Sequence, residues 1–477
     1  MAGARPARDI ASYSRFSEFP KKPFTVAADD TKQETITLTR TLCEHLARAR
    51  FDDLPQRAVH EARRGVLDWL GCALAASRHP TIDKLVDVLR EVSARQQATV
   101  LGRKLKLGLL DAPLANGQMG HVLDFDDTHM GGVVLHTSSP VLAALFATAE
   151  RAPVSGKAFM LAYAAGFEAG VRSGQSAPGH HNGGWHLTGT LGAIAAGVAA
   201  GKLLELDGRR LTHAMGIAAT QAAGMQQNRG TMCKSFHAGK AASSGVLAAL
   251  LAHRGFDSSQ EIIEGNRGFC RIYSDSAAPE KITSGLGAGW EIARNGHKPY
   301  ACGVVLHPLI DALIHVHRDA AVDPESVETV ELRIHPHVLS ITGVVEPATG
   351  LQSKFSLYHS AAVALIDGAA GIQQYTDQRA LDPAVVRLRH KVKAAADETL
   401  RKDQAFARVR VGGRTLEASV QHASGTIDNP MTDAAIENKF IANAEPTIGT
   451  DAARRVRDMV WKLEAVADVR ELVAALA

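Results

Sequence analysis

Cysteine is scarce in this sequence, and the few residues present are scattered. The 477-residue chain has five cysteines, an odd number, and no two of them form a CxxC pair. A disulfide framework and a cysteine-based zinc site are therefore not predicted. This usage is typical of a reducing compartment, so we predict a cytoplasmic protein.

A long apolar run is also missing. The most apolar stretch, residues 187–200, is too short and too rich in glycine to span a bilayer, and Lys202 follows it. Residues 1–34 are polar and carry basic side chains, but they lack the apolar core of a secretory signal. We predict a flexible leader there, with an organelle transit peptide as the alternative.

Neither sign of charge is in large excess. The net charge is +3, and no block of lysine and arginine occurs, whereas a nucleic-acid binder concentrates positive charge on one face or tail. The GxGxxG, GxxxxGK[ST], GxSxG and HExxH motifs are absent too, so dinucleotide-binding, P-loop, α/β-hydrolase and zinc-protease functions have no support. We predict no nucleic-acid partner and no membrane partner.

Small and aliphatic residues at helical spacing are abundant. Between residues 36 and 275, apolar side chains recur every three or four positions, which predicts helices. Gly189, Ala193, Gly197 and Gly201 recur along one helical face, where small residues let helix axes approach closely. No repeat of fixed period is present, which argues against a solenoid.

The pattern changes after residue 288. Residues 327–341 and 405–422 alternate apolar and polar side chains like strands, and Gly412-Gly413 is predicted to form a hairpin turn. After residue 430 the pattern is helical again. We therefore predict a mainly α fold with a cleft between two domains. The domains are a helical domain built from both chain ends, residues 35–287 and 425–477, and an inserted α+β lid domain, residues 288–424.

The first group of polar residues lies in "HVLDFDDTHMGGVVLHTSSP". Asp124 and Thr128 are four apart and are predicted to share one helical face. His136 directly precedes residues 137–140, a predicted helix start with a capping side chain and a proline. Acidic runs of this kind also fit a purely structural interpretation as caps or solvated faces.

Three further groups lie at predicted helix starts. His186 precedes a predicted apolar helix. Lys234 and His237, three residues apart, lie at the start of a long predicted helix. His307 opens another predicted helix, and Lys298 lies nine residues before it. Helix N-termini favour anions because their backbone N–H groups are free and carry partial positive charge. Together these positions predict helix ends that converge on one negatively charged ligand. Individually, a packed histidine or a solvated lysine is the plain alternative.

A metal site is a competing interpretation of the same residue types. The "DFDD" segment resembles acidic Mg²⁺ motifs, and His180-His181 with His186 suggests zinc. However, adjacent histidines seldom bind one ion, and Asp124 and Asp126 would diverge on a helix. We predict no metal. A non-catalytic binding protein is the other alternative.

Six ordered motifs resemble the MmgE/PrpD family, which includes 2-methylcitrate dehydratase, cis-aconitate decarboxylase and iminodisuccinate epimerase. They are "LDFDDTH…H", "GWHLTGTLGA", "KSFHAGKAA", "KPYACGVVLHPLIDA", "KFSLYHSAAVAL" and "NPMT". The resemblance runs from about residue 36 to the C-terminus. It implies a helical domain from both chain ends, an α+β lid, a homodimer, and catalysis without a metal or an organic cofactor. The active-site positions of the decarboxylase correspond here to Asp124, Thr128, His136, His186, Lys234 and His307.

Two departures from the family pattern bear on the reaction. His129 stands where the first motif often has an aromatic residue. The stretch 342–355 has no tyrosine, although the decarboxylase places one there. This difference argues against decarboxylation of cis-aconitate in particular.

We predict a cofactor-independent lyase of the dehydratase type, acting on a small di- or tricarboxylate such as 2-methylcitrate or an aconitate-like acid. Such chemistry builds a carbanion-like intermediate, so it needs fixed cations and a neutral base near pH 7. Epimerisation of a polycarboxylate and cis-aconitate-type decarboxylation are the alternatives. The predicted catalytic residues are Asp124, His136, His186, Lys234 and His307, and the predicted substrate-binding residues are Thr128, His237 and Lys298.

Overall fold

Long helices make up most of the first half of the chain. The computed structural model describes residues 37–320 and 323–477; the predicted leader at residues 1–34 lies outside the described residues. The helices up to residue 273 are α1 (Leu38–Arg48), α2 (Gln56–Ala75), α3 (Pro80–Val92), α4 (Asp111–Val122), α5 (Ser138–Ala149), α6 (Gly156–Gln175), α7 (Leu187–Leu203), α8 (Gly208–Ala219), α9 (Met232–His253) and α10 (Phe269–Tyr273).

Helix α7 lies at the centre of this helical part. It packs against α5, α6, α8 and α9, and its residues from Leu187 to Gly201 are all buried. A helix that is apolar on every side is stable only when neighbours cover all its faces. A Cβ added at Gly245 of α9 would lie 2.5 Å from the Cβ of Ala196 of α7, so the two axes approach closely. The small-residue spacing predicted this close packing.

Short strands connect some of these helices. Strands β1 (Ala98–Val100) and β2 (Leu105–Leu107) form one antiparallel hairpin. Strand β3 (Thr128–His129) pairs with β4 (Asn295–Gly296), which comes more than 160 residues later. This second pair joins the segment after α4 to the segment that leads into the α+β part.

The α+β part follows. Its helices are α11 (His307–Ala320), α12 (Pro336–Thr342), α13 (Gly350–Ser353), α14 (Leu357–Asp367), α15 (Asp377–Ala380) and α16 (Pro383–Arg389), and its strands are β5 (Val327–Ile334), β6 (Val392–Ala396), β7 (Ala405–Val411) and β8 (Arg414–Val420). The sheet order is β6-β5-β7-β8, with β5 and β6 parallel and the other pairs antiparallel. Helix α11 packs on β7 and β8. Gly412 and Gly413 both have positive φ angles in the β7–β8 turn, as the predicted hairpin requires.

The chain returns to the helical part at its end. Helices α17 (Asp433–Ile448), α18 (Thr450–Trp461) and α19 (Arg470–Ala475) follow the sheet. Helix α17 packs along α2, and Lys439 on α17 donates hydrogen bonds to Asp68 on α2 (2.6 Å) and to the carbonyl oxygens of Phe125 (2.6 Å) and Lys298 (2.9 Å). The mainly α fold is confirmed, and helices from both ends of the chain pack together.

The domain boundaries at residues 288 and 424 stay predictions. Closure of the α+β part as a lid also stays a prediction. Within the described residues, no helix combines the length and the apolar character needed to cross a membrane.

Candidate active site

A cavity of about 370 Å³ opens where the helical part meets the α+β part. Asp124, His136, His186 and Lys234 line it from the helical part. Apolar side chains cover much of the remaining wall: Met130, Val133, Val134, Leu187, Val304, Val305, Ile341 and Phe355. The cavity thus has the size and the mixture of apolar wall and few polar groups that small-molecule sites show.

Asp124 is the anionic centre of this site. Helix α4 ends at Val122, and Asp124 adopts a left-handed backbone with φ +51°, which is rare for a residue with a side chain. Thr128 lies in β3, so the prediction that Asp124 and Thr128 share a helical face is wrong. The helix ends two residues before Asp124, and the Asp124 carboxylate contacts two lysines.

Two lysines flank the Asp124 carboxylate. The Nζ atom of Lys234, in the first turn of α9, lies 2.5 Å from Oδ2, and the Nζ atom of Lys298 lies 2.5 Å from Oδ1. Lys298 also donates to the Asp124 carbonyl oxygen at 3.1 Å. Burial alone would raise the pKa of Asp124, but the two ammonium groups hold it well below its usual value. The aspartate is therefore ionised at any physiological pH.

The two lysines occupy different surroundings. Lys298 is fully buried behind Asp124; burial disfavours its charge, yet Asp124 and Asp126 raise its pKa above the ordinary value. Lys234 lines the cavity, and its ammonium group stands 5.2 Å from the centre of the Phe355 ring. Burial lowers the pKa of Lys234, and Asp124 opposes that shift. Lys234 is thus the ammonium group that a ligand can reach.

His136 offers a lone pair to the cavity. Its Nδ1 lies 2.9 Å from the Asp127 carbonyl oxygen and 2.9 Å from the hydroxyl of Thr128. Since the carbonyl can only accept, Nδ1 carries the proton, and Nε2 of the neutral ring is an acceptor. Burial and the charge of Lys298 hold the pKa of His136 well below its usual value, so the ring is neutral. Thr128 is fully buried and lies behind His136.

His186 and His237 form a pair. His186 precedes the first residue of α7, and its Nδ1 lies 2.9 Å from Nδ1 of His237 on α9, so one ring donates and the other accepts. The Nε2 atom of His186 is buried and has no hydrogen-bond partner among residues 37–320 and 323–477. Burial and the charge of Lys234 hold the pKa of His186 well below its usual value, and burial lowers the pKa of His237 to about 4. Both rings are therefore neutral at pH 7.

The sequence interpretation missed His121, which lies on α4. Its ring centre stands 4.9 Å from that of His136 and 5.3 Å from that of His186, so it joins the two cavity histidines. Its Nδ1 donates to Asp126 at 2.9 Å, and its buried Nε2 has no partner in the described part of the chain. A histidine five residues before an aspartate, in an otherwise apolar helix end, was the available signal.

His307 and Lys354 lie behind the cavity wall. His307 is the first residue of α11 and packs edge-on against Tyr300; its Nε2 is buried without a partner among the described residues. Burial and the charge of Lys298 lower its pKa to about 3. Lys354, also missed, donates to the carbonyl oxygens of Leu123 and Ala301 at 2.7 Å, and burial lowers its pKa to about 8. The described structure therefore gathers all eight predicted residues in one region, four of them at the cavity surface.

One buried group in the described residues could hold a metal ion, namely His121, Asp126 and His136. Each of its two rings uses Nδ1 for a hydrogen bond within the protein, to Asp126 and to the Asp127 carbonyl. Asp126 also accepts from Ser139 at 2.7 Å. Both Nδ1 atoms and the Asp126 carboxylate are thus engaged within the protein, while Nε2 of His121 has no partner among the described residues. The expectation that no metal is needed stays a prediction.

Comparison with known proteins shows the family of this chain. Residues 40–282 match the MmgE/PrpD N-terminal domain, and residues 300–465 match the MmgE/PrpD C-terminal domain. The chain belongs to the MmgE/PrpD family. The resemblance carried by the six sequence motifs is thereby confirmed.

Several curated MmgE/PrpD relatives are similar over nearly the whole chain. Cis-aconitate decarboxylase of Aspergillus terreus is 28% identical over 473 residues, which cover 92% of this chain and 96% of the relative. Cis-aconitate decarboxylase of Mus musculus is 26% identical, covering 90% of this chain and 91% of the relative. The Homo sapiens protein of the same name is 24% identical, with 92% and 94% covered.

This MmgE/PrpD site combines three chemical elements at the cavity. They are a reachable ammonium group on Lys234, an ionised carboxylate on Asp124, and neutral imidazoles on His136 and His186. Such a set can hold an anionic substrate, stabilise negative charge that develops on it, and move protons near pH 7.

Proposed function

We propose that the protein is a lyase that acts on a small polycarboxylate through acid/base chemistry, and that it decarboxylates a cis-aconitate-like acid. One observation carries the proposal: the Lys234 ammonium group lines the same cavity as the neutral His136 ring. The names of the relatives favour decarboxylation over the dehydration that the sequence alone favoured.

The proposed reaction breaks the bond between a carbon and its carboxylate. Carbon dioxide leaves, and the electron pair stays on the carbon chain, where it spreads across the adjacent double bond toward a second carboxylate. Lys234 would hold that carboxylate and stabilise the growing charge. Removal of a single donor of this kind costs about 10²–10³ in turnover in enzymes that rely on it. A proton must then reach carbon to complete the product.

The proton would come from His136 or His186. Both rings are neutral because they are buried and close to ammonium groups. A bound polyanion brings negative charge next to them and therefore raises their pKa, so that one ring can hold the proton and release it to carbon. His237 would orient His186 and exchange the proton with it through the Nδ1–Nδ1 contact.

We further propose that the α+β part, residues 288–424, acts as a lid. Its residues Val304, Val305 and Phe355 form part of the cavity wall, so a small movement would open or close the cavity. Closure would exclude water, which strengthens the interaction of Lys234 with the developing charge. A cytoplasmic location and a homodimer, both expected from the sequence, complete the proposal.

Dehydration of a 2-methylcitrate-like acid is the second candidate. The Nε2 atom of His136 is an acceptor on a neutral ring, which suits abstraction of a proton from carbon. The cavity residue in the stretch where the decarboxylase places a tyrosine is Phe355 here, which cannot donate a proton. Elimination would use His136 as base and would need an acid for the departing hydroxide.

Product analysis distinguishes these reactions. The purified protein is incubated in D₂O, with a chelator present, with cis-aconitate, 2-methylcitrate, citrate or iminodisuccinate, and followed by NMR. Decarboxylation yields carbon dioxide and a product with one deuterium on carbon; dehydration keeps every carboxylate; epimerisation exchanges one hydrogen without changing the skeleton. Lys240→Met is the matched control for Lys234→Met, because Lys240 is exposed on the same helix. A folded protein that converts none of these acids would contradict the proposal.

A further inference from the structure

A second group of basic side chains lines the cavity apart from the Asp124 centre. We call Arg229, Lys402, His181 and His337 the outer cluster; all four line the cavity. The ring centres of His181 and His337 are 6.2 Å apart. Burial lowers the pKa of His181 to about 4, and the positive charges of Arg229, His337 and Lys402 add to this shift. The His181 ring is therefore neutral at pH 7. The positive charge of the outer cluster therefore resides on Arg229 and Lys402.

Neither of these two cations has a carboxylate partner within 4.0 Å in the part of the chain that the structure describes. Arg229 donates to the side-chain oxygen of Gln226, which is neutral. The nearest acidic residue in sequence to Lys402 is Asp403, and that carboxylate already contacts Arg401 at 3.2 Å and His422 at 2.9 Å. In contrast, Lys234 and Lys298 share the charge of Asp124. Asp403 also lines the cavity, but its carboxylate is held by Arg401 and His422. The outer cluster thus presents to the cavity two cations that have no ion-pair partner in the described residues.

The two cations come from different parts of the fold. Arg229 lies just before α9 in the helical part, and it is half-buried. Lys402 lies between β6 and β7 in the α+β part, and it is exposed. An anion bound by both would bridge the two parts of the protein.

The cavity volume limits the number of heavy atoms in a ligand. A cavity of about 150 Å³ holds benzene, which has six heavy atoms. By the same proportion, 370 Å³ holds roughly fifteen heavy atoms. An acid with three carboxylates on a short carbon chain has about this size. One carboxylate can then contact Lys234 while another extends toward the outer cluster.

We propose that Arg229 and Lys402 form a second anion subsite, which binds the carboxylate farthest from the reacting carbon and so selects tricarboxylates over dicarboxylates. This inference rests on the proposed function in taking the substrate to be a polycarboxylate. The subsite makes Arg229 and Lys402 residues that determine specificity, one in the helical part and one in the α+β part.

Binding of two unreactive acids tests this subsite. Tricarballylate is a saturated tricarboxylate, and methylsuccinate is the same carbon chain without one terminal carboxylate; neither has a double bond or a hydroxyl group to eliminate. Their dissociation constants are measured by calorimetry for the wild type, Arg229→Met, Lys402→Met and the double variant. Lys393→Met, which removes an exposed lysine of β6, is the matched control.

Each single change should weaken tricarballylate binding by about 10- to 100-fold, which is the range for a hydrogen bond to a charged group. The binding of methylsuccinate to these variants, and the binding of both acids to Lys393→Met, should stay within about threefold of the wild type. The double variant should lose less than the product of the two single factors, because both side chains hold one carboxylate.

The outcomes separate this inference from the proposed function. If the wild type binds tricarballylate but the single variants bind it equally well, the subsite is refuted while the lyase proposal stands. Equal weakening for both acids would also refute it, because the cations would then act without regard to the third carboxylate. Losses that multiply fully in the double variant would assign the two cations to separate groups and overturn the shared subsite. If the wild type binds neither acid, the proposed function itself is contradicted.

Discussion

Lys234 and Lys298 make equally short contacts with Asp124, yet their removal should affect the stability of the protein to different extents. Lys234 keeps 12% of its side chain exposed and lines the cavity. Replacing it with methionine leaves Asp124 paired with Lys298, so the buried charges stay balanced. We expect the free energy of unfolding to change by less than about 1 kcal/mol, while turnover falls by about 10²–10³ because the cation at the developing charge is lost.

Asp124→Asn should destabilise the protein more than Lys234→Met does. It leaves two neighbouring ammonium groups, one of them fully buried, without their carboxylate. Loss of one partner from a buried ion pair costs about 3–5 kcal/mol. Lys298→Met should be intermediate at about 1–3 kcal/mol, because it leaves the Lys234–Asp124 pair but removes the hydrogen bond to the Asp124 carbonyl.

Urea denaturation followed by circular dichroism measures these stabilities, and turnover of the substrate identified by NMR measures the function. The expected order of stability loss is Asp124→Asn, then Lys298→Met, then Lys234→Met, and all three variants lose activity. If Lys234→Met destabilises the protein as much as Asp124→Asn, or keeps activity within tenfold of the wild type, the assignment of Lys234 as the substrate-facing cation is wrong.

Four further outcomes are expected. His237→Gln should lower kcat by about 10- to 100-fold, as loss of an orienting partner does. It should also shift the pH profile of kcat, because the His237 ring contacts His186. An unchanged pH profile would refute the orienting role of His237. His307 has a folded-state pKa of about 3, below the unfolded value of 6.5, so the wild type loses stability as the pH falls below 6.5. The variant His307→Gln lacks this group. In urea titrations its stability relative to the wild type should therefore rise by about 2 kcal/mol between roughly pH 7 and pH 5. Gly239→Ala should destabilise the protein by about 1–3 kcal/mol in the same assay, because the added Cβ would lie 2.0 Å from the Leu114 carbonyl oxygen where α4 crosses α9. Incubation with EDTA should leave turnover unchanged, and loss of activity that Mg²⁺ or Zn²⁺ restores would assign a metal to the site.

The sequence predicted the helical fold well because its signals are local. The spacing of apolar and small residues directly reflects which helix faces are buried, as the fully buried α7 shows. His186, Lys234 and His307 lie at or just before helix starts, as predicted, because helix boundaries leave a local signature in capping and composition.

The details of the site depended on contacts that are distant in sequence. The Asp124 carboxylate contacts lysines that lie 110 and 174 residues away, so no local pattern could have predicted this centre. His121 lies in a buried helix, and its sequence signal, an aspartate five residues later, is too weak to separate it from a packed core histidine. The outer cluster joins residues 229 and 402, which are far apart in sequence but line the same cavity.

Lys439 on α17 has a consequence for how the protein is made. This lysine lies 314 and 141 residues after Phe125 and Lys298, yet it donates to the carbonyl groups of both, which neighbour the Asp124 centre in sequence or through Lys298. During translation, the proposed reaction centre therefore stays incomplete until residue 439 has left the ribosome. Premature termination upstream of α17 should give inert fragments that proteases can clear, with no partly active enzyme released into the cell.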